Sequence, residues 1–333
     1  MHAPVPAGLG PAPFDGRRFS NLSGPDAHGL ASVLKWMLTR RRARWPRRLA
    51  PIQAVPPPDR VDDGTIRVTL IGHATVLLQL AGLNILTDPM LSRTAGPLPW
   101  LGVKRVCDPA FVLADLPSID LVLLSHNHYD HLDRPTLAAL VDRDDPLILT
   151  GLRTGGSVPS ERVVELDWGQ SREAFGLRAT YVPAEHFSAR GPFDRNVALW
   201  GGFVLETALG RIYFAGDSGD GAHFAMIRQH FGPMTLSLIP IGAYEPRWFM
   251  SPVHMDPAEA LAASLTLESQ VSLAIHHGTF PLADDAIDAP SRLLAEALAS
   301  ADTAGRGLDF RAPAFGQPVI IAGPGAQRDS AGI

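Results

Sequence analysis

A chain of 333 residues is long enough for one large domain or two modest ones, and 46% hydrophobic with 19% charged residues is the balance of a globular protein that can bury a sizeable core. A formal net charge of -5 offers no field to draw in a nucleic acid. The single cysteine, Cys107, excludes an intramolecular disulfide and any cysteine-rich zinc site, and its polar setting, Lys104-Arg105-Val106-Cys107-Asp108, suits a structural role better than a nucleophile.

The opening stretch, MHAPVPAGLGPAPFDG, has no basic start followed by an apolar run, so it does not read as a secretory signal. No apolar run approaches the ~20 residues a membrane span needs, and the expected compartment is the cytoplasm. Residues 1 to about 28, rich in Pro and Gly, predict an extended arm. Leu30, Val33, Leu34, Met37 and Leu38 then recur at helical spacing. Arg40, Arg41, Arg42, Arg44, Arg47 and Arg48 follow, with Trp36 and Trp45 beside them. Two readings stand: a basic amphipathic segment lying peripherally on an anionic membrane, or a helix docked on the body of the protein with a solvated basic end. The prolines Pro56, Pro57 and Pro58 close this region, so the expected organisation is an arm over 1–60 and one domain over 61–333.

Beyond them, β-like runs occupy Ile66–Ile71, Val76–Leu80, Leu83–Thr87 and Asp120–Ser125, and a helix is predicted over Pro135–Val141 with its proline in the tolerated first turn. Strands are expected at Leu147–Thr150, Val163–Leu166, Ala179–Val182, Ala198–Leu205, Ile212–Ala215, Leu236–Ile241, Ser272–Ile275 and Val319–Ile321. Helices are expected at His223–His230, Asp256–Leu267 and Ser291–Ala299. Two β-rich halves, each backed by helices, predict an α/β fold of stacked sheets with helical outer layers.

The chemistry concentrates in Ser125-His126-Asn127-His128-Tyr129-Asp130-His131, where four candidate metal ligands fall within six residues directly after a hydrophobic strand. In an extended segment residues two apart point the same way, so His126 and His128 can approach one ion, and Asp130 and His131 can face a second from the start of the following helix. Nitrogen ligands with carboxylate help suit zinc. Further donors stand at strand ends: His186 in Pro183-Ala184-Glu185-His186, Asp217 in Ala215-Gly216-Asp217-Ser218, and His276 beside its rival His277.

His-x-His-x-Asp-His, a distant His, Gly-Asp and a late His together resemble the metallo-β-lactamase superfamily. The resemblance implies a four-layer αββα sandwich with two zinc ions at the edge of the sheets. One ion would be held by His126, His128 and His186, the other by Asp130, His131 and His276, with Asp217 bridging. Asp130 and Asp217 would be the catalytic carboxylates, and the family pattern prefers His276 to His277. Further blocks, Ile71-Gly72-His73-Ala74-Thr75, Leu86-Thr87-Asp88-Pro89, the run Ile239–Met250 and His254-Met255-Asp256-Pro257, are similar to N-acylphosphatidylethanolamine-hydrolysing phospholipase D and its bacterial relatives.

From that likeness the expected activity is a zinc phosphodiesterase, in which a hydroxide shared by the two ions attacks phosphorus in line and no Ser or Cys nucleophile is needed. Asp88 either orients a ligand histidine or is a turn residue before Pro89, and His73 either supports a ligand or is a buried structural histidine. Arg247 would grip phosphate, and His254 would polarise substrate or line the mouth of the site, with Tyr244 beside them. Tyr129 is equally a packing residue, and Trp248, Phe249 and Met250 either line an acyl groove or belong to the core. Competing readings keep the metal centre but change the substrate to a soluble lactone, amide or cyclic phosphodiester, or make the centre an inactive scaffold.

Overall fold

The computed structural model describes residues 9–24, 28–301 and 309–323; the remainder of the arm and tail lies outside the described residues. In chain order the elements begin with helix α1 (Leu30–Thr39) and strands β1 (Thr65–Gly72), β2 (Thr75–Leu80) and β3 (Leu83–Thr87). A hairpin of β4 (Thr94–Leu98) and β5 (Leu101–Lys104) comes next, then β6 (Leu121–Leu124), α2 (Arg134–Asp144), β7 (Leu147–Gly151) and β8 (Val163–Leu166). The second half contains β9 (Ser171–Ala174), β10 (Leu177–Val182), β11 (Gly202–Thr207), β12 (Gly210–Phe214), α3 (His223–Phe231) and β13 (Leu236–Pro240). It finishes with α4 (Arg247–Met250), α5 (Pro257–Thr266), β14 (Val271–Ile275), α6 (Ala289–Ser300), β15 (Asp309–Arg311) and β16 (Pro318–Ala322).

Two seven-stranded sheets face each other, ordered β16-β1-β2-β3-β6-β7-β8 and β15-β14-β13-β12-β11-β10-β9. Strand alternation places the layers. Leu121 and Leu123 of β6 join Phe203, Phe214 and Leu238 between the sheets, while Val122 and Leu124 face the other way onto Leu137 and Leu140 of α2. On the far side Tyr213 and Ile239 pack against Phe224 and Ile227 of α3, Leu261 of α5 and Leu294 of α6. The result is the expected αββα sandwich. A strand covered on both faces reads as a continuous apolar run, which is why β6 is Leu-Val-Leu-Leu.

The structure adds elements that periodicity did not reveal: the β4–β5 hairpin, the short edge strands β9 and β15, and α4. It also shortens one. The strand expected from Ala198 starts at Gly202, because Leu199 N–H donates to Leu152 O (2.8 Å) and Gly201 N–H to Ser125 O (3.2 Å), tying this stretch to the first sheet. Asp130 and His131 likewise lie in a turn ahead of α2, held by His131 N–H and Leu132 N–H on His128 O, and do not begin the helix.

The fold brings one kind of residue to one edge. His126 follows β6, His186 follows β10, Asp217 follows β12, His276 follows β14, and Asp88 follows β3, so all emerge at carboxyl ends of strands. The backbone is unusual at that edge: His73 (φ 57°), Asp88 (31°), Ala243 (60°) and His276 (58°) are non-glycine residues in the left-handed region, a strain typically kept where a site demands it. Two glycines are required sterically. A Cβ on Gly216 (φ 63°) would lie 2.6 Å from Ser125 Cβ, and one on Gly242 would run into His276 O.

Candidate metal centre

Three imidazoles meet first. His126 Nε2 lies 2.8 Å and His186 Nε2 3.2 Å from His128 Nδ1. Beside them, Asp217 Oδ2 lies 3.0 Å from His276 Nε2, 3.2 Å from His131 Nε2 and 3.8 Å from His186 Nε2. Asp130 Oδ2 is 3.5 Å from both His131 Nε2 and His276 Nε2. Around a tetrahedral zinc with Zn–N near 2.0–2.1 Å, neighbouring ligand atoms sit about 3.3 Å apart, so both groups have metal-compatible spacing. His131 Nε2, His276 Nε2 and Asp217 Oδ1 are buried and make no hydrogen bond. Orphaned buried polar atoms are costly, and a shared cation resolves several at once. His277, the rival, turns instead toward Phe315, with ring centroids 5.9 Å apart.

Behind the donors, the chain fixes which nitrogen is free. Asp88 is fully buried; its Oδ1 accepts Ser125 N–H (2.7 Å) and its Oδ2 accepts Ser125 Oγ–H (2.5 Å) and His131 Nδ1–H (2.6 Å). With Ser125 donating to Asp88, His126 Nδ1–H donates to Ser125 Oγ (2.9 Å). His186 Nδ1–H donates to Val253 O (2.9 Å). Each bond holds a proton on Nδ1 and leaves Nε2 as a lone-pair donor pointing into the site. His73 Nε2–H donates to Asp130 Oδ2 (3.0 Å), and His73 O accepts His276 N–H (2.9 Å), so this residue braces two of the converging groups.

Electrostatics separate the two groups. Burial keeps His126, His128 and His186 neutral: His128 is pushed down to about 4 although Asp130 opposes it, and His126 and His186 lie well below their ordinary value. Burial also works against charge on His131 and His276, but Asp217 and Asp130 override it, raising His131 well above its usual value and His276 to about 9. In the metal-free protein both imidazoliums pair with the carboxylates; the part carried by His276 is complete below pH 6.5 and lost as pH rises through about 9, and His131 shifts in the same direction. Loading a cation must displace those protons. Titration of zinc at about pH 7.5, in buffers of differing ionisation enthalpy, is expected to show release of about one to two protons per chain and affinity rising toward pH 9. Pure proton-neutral binding would contradict this arrangement.

A cavity of about 500 Å³ opens onto the cluster. His128, Asp130, Asp217 and His254 form its polar end, while Val33, Trp36, Phe187, Phe249, Met250 and Leu282 supply apolar wall. Helix α1 is docked there: Trp36 stacks on Phe249 at 4.9 Å, and Arg40 pairs with Asp284 at 2.9 Å. Leu34, Met37 and Leu38 face outward, 51%, 60% and 86% exposed, so the helix docks through Trp36 and Val33 and leaves these three residues of its apolar stripe outside. Among the described residues no helix is long and apolar enough to cross a membrane.

The remaining expected residues divide. His254 reaches the cavity, its ring 5.1 Å from that of His186. Arg247 does not present a free phosphate grip; its guanidinium donates to Glu259 Oε1 (2.8 Å) and Oε2 (2.6 Å) and to His254 O (2.9 Å), bracing the loop that carries His254. Tyr244 is buried, its carbonyl accepting from the same guanidinium. Tyr129 points away from the donors, its hydroxyl donating to Arg190 O (2.7 Å) under the Arg190 guanidinium. Sequence reasoning missed Ser125, Val253 and the arm residues Asn21 and Ser23. Ser125 stands inside the decisive motif and carried a readable signal; a backbone carbonyl and an Asn in a Pro/Gly arm carry none.

The fold and this centre define a metal-dependent hydrolase: the chain belongs to the metallo-β-lactamase superfamily, whose beta-lactamase superfamily domain profile matches residues 83–277. Within it the chain is similar to N-acyl-phosphatidylethanolamine-hydrolyzing phospholipase D 1 of Caenorhabditis elegans, 35% identical over 246 residues, 70% of this chain and 69% of that one. An uncharacterized protein of Mycobacterium tuberculosis is 39% identical over 275 residues, covering 80% of this chain and 73% of its own length. Among solved structures, Igni18, a metallo hydrolase from Ignicoccus hospitalis, superposes with a TM-score of 0.56 at 22% identity, covering 77% of this chain and 98% of that one, a likeness of fold.

Proposed function

We propose that this protein is a two-zinc phosphodiesterase of the phospholipase D type that hydrolyses N-acylphosphatidylethanolamine-like lipids. The observation that carries this reading is the cavity, which joins the converging imidazoles and carboxylates to an apolar wall of Trp36, Phe249, Met250 and Leu282. A phosphodiester bearing an acyl chain matches both ends; a small soluble lactone or amide leaves the wall unused.

In this reading His126, His128 and His186 would hold one cation and Asp130, His131 and His276 the other, with Asp217 within reach of both groups. Such cations would activate water at neutral pH and neutralise charge growing on phosphate oxygens. The protein's own part is to fix the donors: Asp88 and Ser125 set the tautomers of His131 and His126, and Val253 sets that of His186. His254, kept neutral by burial and pushed down to about 4, stands at the polar end to hydrogen-bond the headgroup. Hydrolysis breaks the P–O bond to the N-acylethanolamine, which leaves with a proton, and the incoming water oxygen stays on the phosphatidate.

Substrate of this kind resides in a bilayer. The outward Leu34, Met37 and Leu38, followed by exposed Arg41, Arg44 and Arg47, support peripheral contact with an anionic surface next to the cavity. Trp36→Ala is expected to lower kcat/KM for a long-chain N-acyl substrate by about 10–100-fold, mainly through KM, with a smaller loss for a short-chain analogue. Steady-state kinetics on a chain-length series tests this, and an equal loss at every length would argue against an acyl-binding wall.

A further inference from the structure

The N-terminal arm runs across the loop that carries His186. Its anchors are buried: Leu9 packs in the layer between the second sheet and its helices, Ala12 and Phe19 in the core between the sheets. Ala12 N–H donates to Asp167 Oδ1 (3.0 Å), and Phe19 N–H to Asn196 O (2.8 Å). The arm then meets the metal loop directly. Asn21, 6% exposed, accepts on Oδ1 from His186 N–H (3.0 Å) and from the indole N–H of fully buried Trp200 (2.9 Å). Ser23 donates through its amide (3.2 Å) and hydroxyl (2.5 Å) to the buried Glu185 carboxylate. Glu185 in turn ties its backbone to the residues after Asp217, with its N–H on Ser218 Oγ (3.0 Å) and its carbonyl accepting Gly219 N–H (2.8 Å).

His186 is therefore held from three sides. Val253 O fixes its ring, the Asp217 loop fixes its neighbour, and Asn21 fixes its own backbone amide. This last contact comes from a segment outside the matched superfamily region, which begins at residue 83. Resting on the two-cation reading above, we infer that the arm is an integral part of the metal centre, and that Asn21 is a positioning residue that sets His186 for the cation shared with His126 and His128. Among the described residues no other ligand residue of that centre is hydrogen-bonded to the arm, so the effect falls on one of the two ions. The oxygen of Asn21 does this work as a double acceptor, and an acceptor of the same reach should replace it.

The test uses the full-length zinc-loaded protein, with metal per chain measured by mass spectrometry and zinc release timed against a chromogenic chelator. Wild type is expected to hold two ions and release them in two phases. Asn21→Ala should release one ion about 10–100-fold faster and leave the other phase unchanged, the scale for losing a group that orients a ligand. Asn21→Asp, which keeps the acceptor oxygen, should restore the release rate to within about 3-fold of wild type. If Asn21→Ala cannot be isolated folded, Asn21→Ser, whose hydroxyl falls short of the His186 amide, is judged by the same criteria. Unchanged release, equal acceleration of both ions, or an Asn21→Asp variant as fast as Asn21→Ala would each overturn the inference. A wild-type protein that binds no zinc would sink the metal-centre reading itself, a distinct result.

Discussion

Asp130→Asn is expected to reduce turnover by about 10³-fold or more, roughly 4 kcal/mol of transition-state stabilisation, while leaving the fold intact. Asp130 is the carboxylate of the motif that both lines the cavity and faces His131, His276 and His73 within 3.5 Å. The amide has the same shape, and its oxygen can still accept from His73. It lacks the charge that His131 and His276 share and that a cation needs. Burial alone would push the Asp130 carboxyl upward; His131, His276 and His73 together hold it well below the ordinary range, so the site is built around its anion. Circular dichroism should be unchanged and zinc content should fall toward one ion per chain. Retained turnover with Asn at this position would remove Asp130 from the centre.

Asp88→Asn should give the second largest effect, through a residue that touches no substrate. The carboxylate accepts three hydrogen bonds, from Ser125 N–H, Ser125 Oγ–H and His131 Nδ1–H, and an amide cannot accept all three because its NH2 must face at least one of these donors. Facing His131, the NH2 forces the proton from Nδ1 to Nε2 and removes the lone pair a metal requires, the same tautomer logic that disables a serine-protease triad when its Asp is amidated. Facing Ser125, it strands a buried donor. Zinc affinity should drop about 10–100-fold, and metal-free stability by about 1–3 kcal/mol. Chelator competition and urea unfolding measure the two quantities separately, and a variant with wild-type values for both would show that Asp88 is only a turn residue before Pro89.

Much of this architecture is legible in the chain because two signals coincide. A core strand such as β6, Leu-Val-Leu-Leu, is a continuous apolar run, and chemistry-bearing residues follow strand ends at once: Leu124 of β6 is succeeded by Ser125-His126, and Ile275 of β14 by His276. A strand end and a ligand read together are stronger than either alone. What escaped is physically different. The β4–β5 hairpin, Thr-Ala-Gly-Pro-Leu followed by Leu-Gly-Val-Lys, is mostly exposed and held by backbone pairing, so it carries no burial pattern. An arginine such as Arg247 near a site of this kind invites the role of a phosphate grip; only the fold places Glu259 and the His254 carbonyl against its fork. Asn21 is ordinary in sequence, and its role depends on a contact 165 positions away.

The most direct test of the account is product analysis in 18O-labelled water. Purified protein of known zinc content is incubated with N-acylphosphatidylethanolamine in mixed micelles, and the products are resolved by mass spectrometry. The expected result is phosphatidic acid carrying one 18O on its phosphate and unlabelled N-acylethanolamine, with both products reduced about 10³-fold or more in Asp130→Asn. Label in the ethanolamide, or no turnover by a chain that carries two zinc ions, would contradict it.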